Sequence, residues 1–348
     1  MSKRKLSRQQ AHRVQRIQEE RIARAGKREA AASALLESGA LGVEQEGMVI
    51  AHYGTQIDVE ALEGENRGQI FRCHMRANLE HLVTGDRVIW QPPTAAETQS
   101  ENGSIGVITA LLPRSTLLVR PDPYGKLKPV ASNIDLILLV IAPYPEPSAL
   151  LVDRYLVACE LTGIKPVILL NKTDLLDVQS RAAMDALLAQ YDAIGYATRR
   201  VSASAGQLDD MQALIGQQTV VLVGQSGVGK SSLLNVLLPD AAQRVAEISD
   251  NSRLGQHTTT TARLFHMPGG GDLIDSPGIR EFGLWHVDEA QLLSGYVEFQ
   301  PFLGTCRFRN CAHRNEPGCA LKVAVEEGKI AAARFERFQT LRAGLERP

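Results

Sequence analysis

The run Gly224-Gln-Ser-Gly-Val-Gly-Lys-Ser fits the pattern G-x-x-x-x-G-K-[ST]. An apolar run, Thr219-Val-Val-Leu-Val, precedes it and reads as a strand; the helical Ser232-Leu-Leu-Asn-Val-Leu-Leu follows. In that setting successive backbone amides and a helix N-terminus face one point and make a cradle for phosphate oxygens. Gly224 and Gly229 offer no Cβ to obstruct the wrap of the backbone. Gln225, Ser226, Gly227 and Val228 complete the loop, and Ser232 lies just beyond it. Lys230 is placed to neutralise β and γ phosphates, and Ser231 to set its hydroxyl on Mg²⁺.

A second constellation, Asn171-Lys-Thr-Asp, closes the apolar run Pro166-Val-Ile-Leu-Leu. The C-terminal edge of a parallel strand is where such sheets bind ligands. The Asp174 carboxylate can accept from guanine N1–H and from its exocyclic amine, a donor pair that adenine lacks, and a carboxylate left unpaired penalises the wrong base. Asn171 would brace the loop, Lys172 would lay its stem on the base, and Thr173 lies between. The turn Ser202-Ala203 is suited to present an N–H to guanine O6; by itself it is also an ordinary loop. Asp275-Ser-Pro-Gly fits D-x-x-G, with Asp275 holding Mg²⁺ through water and the Gly278 amide meeting the γ phosphate. Before it comes Gly255-Gln-His-Thr-Thr-Thr-Thr, where one of Thr258, Thr259 or Thr260 is a second Mg²⁺ ligand. The magnesium candidates are thus Ser231, Thr258, Thr259 and Asp275. Many small GTPases carry a water-orienting Gln just after D-x-x-G; Ile279 stands here, and His257 is the polar substitute. His257, Lys230 and Thr259 form the candidate catalytic set.

The order of these pieces is unusual. Small GTPases run from phosphate loop to D-x-x-G to N-K-x-D to Ser-Ala, whereas here N-K-x-D and Ser-Ala come first. Termini of a compact domain lie at its surface, so moving them preserves the site, and the domain reads as circularly permuted. The switch region then continues directly into the C-terminal segment, which is expected to sense the nucleotide state.

That segment holds Cys306, Cys311, His313 and Cys319, three of the five cysteines. Three clustered cysteines make a poor disulfide framework, but three thiolates and an imidazole suit one tetrahedral zinc ion of structural type. A reduced cluster in a loop is the alternative. Arg307, Arg309 and Arg314 are interleaved, as in RNA-contacting knuckles.

The elements that must position these groups follow from length and pattern. The 348 residues predict two or three domains. A content of 44% hydrophobic and 22% charged residues excludes wholesale disorder and rod-like folds. Residues 1–42 read as a basic, mostly flexible arm; residues 1–30 carry net charge +7 and the remainder −8, so the arm faces a polyanion or serves as a solubilising tail. Residues 43–119 hold five short strand-like runs and predict an OB-fold β-barrel. Residues 120–285 alternate buried strands with helices and predict a central α/β domain, the circularly permuted P-loop GTPase. Residues 286–348 predict a zinc-binding domain ending in a helix over 320–345. The longest apolar stretch, Leu136 to Ala142, is far short of the ~20 residues of a membrane helix, and the start lacks a secretory signal, so a cytoplasmic protein without a membrane is expected.

The permuted motifs, the barrel and the C-x4-C-x-H-x5-C cluster together resemble the bacterial small-ribosomal-subunit biogenesis GTPases, the RsgA (YjeQ) family. The switch-like runs Gly255-Gln-His-Thr-Thr-Thr and Asp275-Ser-Pro-Gly-Ile-Arg-Glu-Phe-Gly-Leu-Trp carry the resemblance as well, and it spans nearly the whole chain after residue 43. It implies a monomer that binds GTP or GDP, magnesium and one zinc ion. It also implies action late in assembly on the 30S subunit and its 16S rRNA, with GTP hydrolysis stimulated by that subunit and coupled to checking or release. Two other readings stand beside it: a regulatory GTPase acting on a protein target, and an RNA-binding protein in which the nucleotide is structural.

Overall fold

The computed structural model describes residues 41–53, 56–76, 79, 81–94, 105–121, 126–239, 262–276, 287–314 and 316–345. Most of the basic arm, together with His257, Thr258, Thr259, Thr260, Gly278 and Ile279, lies outside the described residues. The chain divides into two compact units. One runs to Arg114 and takes in residues 262–264; the other begins at Ser115.

The first unit is a five-stranded OB-like barrel of β1 (Gln45–Tyr53), β2 (Gln56–Ala61), β3 (Ile70–Met75), β4 (Arg87–Gln91) and β5 (Ile105–Leu111). The order is β1-β2-β3-β5-β4, and β4 returns to β1, which closes the sheet. Only β3 and β5 run parallel within it, with Cys73 opposite Gly106. The inward residues Val49, Ile57, Val59, Cys73, Val88, Trp90 and Ile108 form the core. Close packing requires two glycines: a Cβ on Gly47 would lie 2.5 Å from Trp90 Nε1, and one on Gly106 would lie 2.9 Å from both Cys73 Sγ and Gln91 O. Buried Asp86 accepts from Arg114 Nε at 2.7 Å and Nη2 at 2.8 Å, which satisfies a carboxylate that water cannot reach.

The second unit opens with a ribbon, β6 (Leu117–Pro121) on β7 (Leu127–Ser132). Because β6 pairs with β7 and with no barrel strand, residues 115–119 fall in this unit. There follow β8 (Leu136–Ile141), α1 (Ala149–Thr162), β9 (Lys165–Leu170), α2 (Val178–Asp192), β10 (Ala197–Arg200), α3 (Asp209–Ile215), β11 (Thr219–Val223), α4 (Lys230–Leu237), β12 (Arg263–His266), whose first two residues are counted with the first unit, and β13 (Asp272–Asp275). Strands β10-β9-β8-β11-β13 form a parallel sheet in that order. All of β8 is buried, as its unbroken apolar run requires of a strand covered on both faces. The chain steps outward from β8 through β9 to β10, then returns to β11 on the other side of β8. The crevice at the C-terminal ends of β8 and β11 is therefore the topological switch point, where open α/β sheets bind ligands.

The C-terminal segment packs into the same unit. It comprises α5 (Glu289–Ser294), the Cys-rich loop, α6 (Ala320–Glu326) and α7 (Ala332–Leu345). The single helix expected over 320–345 is two, because Gly328 takes the left-handed conformation at φ 71° and ends α6. Leu292, Tyr296, Phe299, Leu321 and Phe338 share one buried cluster with Val157 of α1. Gly295 lies so close to α1 that a Cβ would sit 2.4 Å from Val157 Cγ1. No described helix is long and apolar enough to cross a membrane.

Candidate nucleotide site and metal centre

The loop after β11 turns through three glycines with positive φ, Gly224 at 137°, Gly227 at 85° and Gly229 at 97°. At Gly224 a Cβ would lie 2.2 Å from the Val140 carbonyl oxygen, so only glycine lets the loop leave the sheet beside β8. Lys230 opens α4 and folds back over the loop, donating from Nζ to Gly224 O at 2.7 Å and Gln225 O at 2.8 Å. Gln225, Ser226, Ser231 and Ser232 are exposed around it, while Val228 is buried beneath.

Asn171 follows β9 and is 1% exposed. Its Nδ2 donates to Val228 O at 3.0 Å, and its Oδ1 accepts from Ala203 N at 3.2 Å. One amide therefore joins the phosphate-type loop, the N-K-x-D segment and the Ser-Ala turn. Lys172 stands at φ 60° and donates from Nζ to Gly227 O at 2.6 Å and Tyr144 O at 2.9 Å. Thr173 Oγ1 donates to Val201 O at 3.0 Å, which fixes the same corner to β10's end. Asp174 is exposed. Its Oδ1 accepts from Ser202 Oγ at 2.5 Å and its Oδ2 from Ser204 Oγ at 3.0 Å. These bonds, that from Ser202 foremost, hold the carboxyl below the usual aspartate range and keep it an acceptor. Asp275 ends β13, the strand beside β11. The arrangement offers a carboxylate for a donor pair on one side of Asn171 and a cradle of amides with a lysine on the other.

Two kinds of known protein match this chain. Residues 111–285 fit the family model described as RsgA GTPase. A protein named small ribosomal subunit biogenesis GTPase RsgA from Pseudomonas fluorescens is 56% identical over 99% of this chain and 98% of its own length. One of the same name from Azotobacter vinelandii is 54% identical over 100% and 99%. The chain belongs to the RsgA GTPase family. The crystal structure of YjeQ from Thermotoga maritima superposes with a TM-score of 0.70 at 29% identity, covering 88% of this chain and all of that one. That of YloQ, described as a circularly permuted GTPase, superposes at 0.68 and 28% identity over 87% and 96%. The permuted order read from the motifs is thus the order of the RsgA fold.

This RsgA member also brings Cys306, Cys311, His313 and Cys319 together, their ligand atoms all within 4.8 Å of one another. His313 Nδ1 lies 3.5, 3.7 and 3.4 Å from the sulfurs of Cys306, Cys311 and Cys319. A tetrahedral zinc with Zn–S of ~2.3 Å and Zn–N of ~2.0 Å sets each S···N distance at about 3.5 Å, so the donor set fits the ion. Burial pushes the Cys311 thiol up to about 11, with Cys306 and Cys319 adding to it, and burial also holds His313 below its usual range. A cation is what would make the thiolates stable neighbours. Around the site, Gln339 Nε2 donates to His313 O at 2.8 Å and Arg342 Nη1 to Ala312 O at 2.6 Å, which ties α7 to the metal loop.

Three participants escaped the sequence reading. Tyr144 acts through its carbonyl, and a backbone atom leaves no sequence signal. Ser204 repeats the small polar type of Ser202 two residues on, a signal that was present in Val201-Ser-Ala-Ser. Asp153 is a fully buried carboxylate inside α1, legible only as a charge in an otherwise apolar helix face.

Proposed function

We propose that this GTPase acts late in small-subunit assembly: it binds the 30S subunit through its 16S rRNA, is stimulated by it, and hydrolyses GTP to time checking or release. The names of the relatives, small ribosomal subunit biogenesis GTPase, support the partner. The observation that carries the chemistry is the pair of hydrogen bonds at Asn171, donated to Val228 O and accepted from Ala203 N, which makes three separate motifs one site.

In this reading Asp174 takes guanine N1–H and its amine, the Ser202-Ala203 turn presents a backbone N–H to O6, and Lys172 lies along the base. Amides from Gly224 through Ser232 hold the phosphates, and Lys230 exchanges its loop carbonyls for β and γ oxygens. Mg²⁺ supplies charge neutralisation between those oxygens when bound, and Ser231 and Asp275, with Thr258 or Thr259, are the residues to hold it. Gly278 N contacts the γ phosphate, and His257 orients the attacking water where Ile279 cannot. Zinc on Cys306, Cys311, His313 and Cys319 is structural, since four protein ligands leave no open position. The protein works as a monomer in the cytoplasm, and the basic arm adds phosphate contacts.

Hydrolysis of GTP and of ATP, measured with and without purified small subunits, tests this. Expected are GTP turnover alone and a rise on adding subunits, lost in His257→Ala. Equal use of ATP, or a rate indifferent to subunits, rejects it.

A further inference from the structure

Among the described residues of the second unit Asp153 is the most enclosed carboxylate, with a side chain 0% exposed. Three contacts converge on it from α2 and α7. Tyr191, near the end of α2, donates its hydroxyl to Oδ1 at 2.6 Å and reaches Ala149 O, the first residue of α1, at 3.2 Å. Arg334 of α7 places Nη1 2.6 Å from Oδ1, and Arg337 donates from Nε to Oδ2 at 2.5 Å. Arg334 is itself fixed: Glu298 accepts from its Nε at 2.7 Å and Nη2 at 3.1 Å, and its guanidinium lies 4.4 Å from the Tyr296 ring centroid.

Both helices that this carboxylate joins lead to the nucleotide site. The loop before α1 carries Tyr144, whose carbonyl receives Lys172, and Pro145, which would sit 3.5 Å from a Cβ on Gly227. The loop before α2 carries Asp174, and Asp177 caps that helix through Ser180 while also meeting the Tyr144 hydroxyl. A buried charge allows little slack, because losing a partner leaves it uncompensated where water cannot enter. These contacts tie α7 to α1 and to the end of α2, the two helices whose leading loops carry Tyr144 and Asp174.

We infer that Asp153 is a positioning residue for the nucleotide, through which Arg334 and Arg337 of the C-terminal helix set how long guanine nucleotide stays bound. The inference rests on the reading of this site as the GTP site. It gives the C-terminal segment a route to the nucleotide through α1 and α2, in addition to the chain continuity after D-x-x-G.

The test is the dissociation rate of a fluorescent GDP from the full chain, with GTP turnover measured in parallel. Arg337→Gln and Tyr191→Phe should each speed release by on the order of threefold to tenfold, the scale of coupling that remote residues carry. Turnover at saturating GTP should be unchanged and KM raised, and Arg337→Lys should recover most of the slow release. Lys329→Gln, on the exposed pair with Glu327, controls for loss of any cation in this segment. A merely structural role would lower the melting temperature and leave release from the folded protein unaltered. Wild-type release from folded Tyr191→Phe overturns the inference, and it decides the matter even if Arg337→Gln fails to fold. Failure of the unsubstituted chain to bind guanine nucleotide rejects the site itself, a separate result.

Discussion

Asn171 reaches a carbonyl 57 residues along the chain: its Nδ2 donates to Val228 O at 3.0 Å, while its Oδ1 accepts from Ala203 N at 3.2 Å. A primary amide serves a carbonyl and an N–H at once through two separate atoms. Asn171→Ala leaves both backbone groups buried without a partner, at about 1–3 kcal/mol for each. Thermal unfolding should show the loss, and titration with fluorescent GDP should show weaker binding. Asn171→Asp should do no better, because a carboxylate faces the Val228 carbonyl with no hydrogen to give.

Base choice should follow Asp174. Asp174→Asn turns one acceptor into a donor, which suits the extra carbonyl of xanthine and opposes the amine of guanine. GTP affinity should fall by about two orders of magnitude or more, the scale on which an unpaired polar group rejects a ligand, and XTP affinity should rise; competition binding reads both. The pH dependence has a definite sign. Hydrogen bonds, that of Ser202 first, hold the Asp174 carboxyl below its ordinary value of 3.8. The stabilisation it gives is complete above that value and is lost only as pH falls through the lowered one. GDP affinity should therefore stay flat from neutral pH down to the ordinary aspartate value, and Ser202→Ala should move the acid limb upward.

Gly224 offers a purely steric test. Its φ of 137° and the 2.2 Å from a built Cβ to Val140 O leave no room for a methyl group between loop and β8. Gly224→Ala should abolish measurable GDP binding while circular dichroism keeps the sheet signal. Gly206, at φ 69° with open space around it, should accept alanine with only backbone strain and bind GDP almost normally.

Much of this was legible in residue order. The phosphate loop needs glycines at fixed steps, so Gly224 and Gly229 announced a tight backbone, whereas Gly227, at an unspecified position of the pattern, shows its positive φ only in the fold. Asn171 and Asp174 announced themselves by type and place after a strand. The permutation was legible because motif order is one-dimensional. What pattern could not supply was contact between elements far apart in sequence. Asp153 sits among apolar residues in α1, and nothing local shows that Arg334 and Arg337 neutralise it. The break between α6 and α7 was missed because the residues from 320 to 345 are mostly good helix formers. Gly328 alone marks the stop, and a lone glycine is also tolerated inside helices at a cost of about 1 kcal/mol.

Removing metal should act on the C-terminal segment locally. In the loop around Cys306, Cys311, His313 and Cys319 the cysteines themselves pack against the C-terminal core, and α7 ties the loop down through Gln339 and Arg342. A chelator strong enough to extract zinc, or Cys319→Ser, should raise amide exchange across residues 306–319. A thiol-free zinc assay should find one ion per native chain. Exchange in β1 to β5 of the barrel should be unaltered.

Arg334 tests the energetics of the same segment. Its side chain is 1% exposed, and both carboxylates it meets are buried, Asp153 at 0% and Glu298 at 7%. Removing the cation takes from Glu298 its guanidinium and leaves Asp153 with Arg337 and Tyr191, and breaking a buried pair typically costs about 3–5 kcal/mol. Arg334→Met should thus unfold part of the second unit at temperatures where the native chain is intact. Adding Asp153→Asn and Glu298→Gln to that variant should restore much of the loss, because neutral amides tolerate burial far better than lone carboxylates. A double-mutant cycle by thermal or urea unfolding measures the coupling. An additive cycle, with no recovery on neutralising the carboxylates, would place the stabilisation in the packing of Arg334 against Tyr296 and not in its charge.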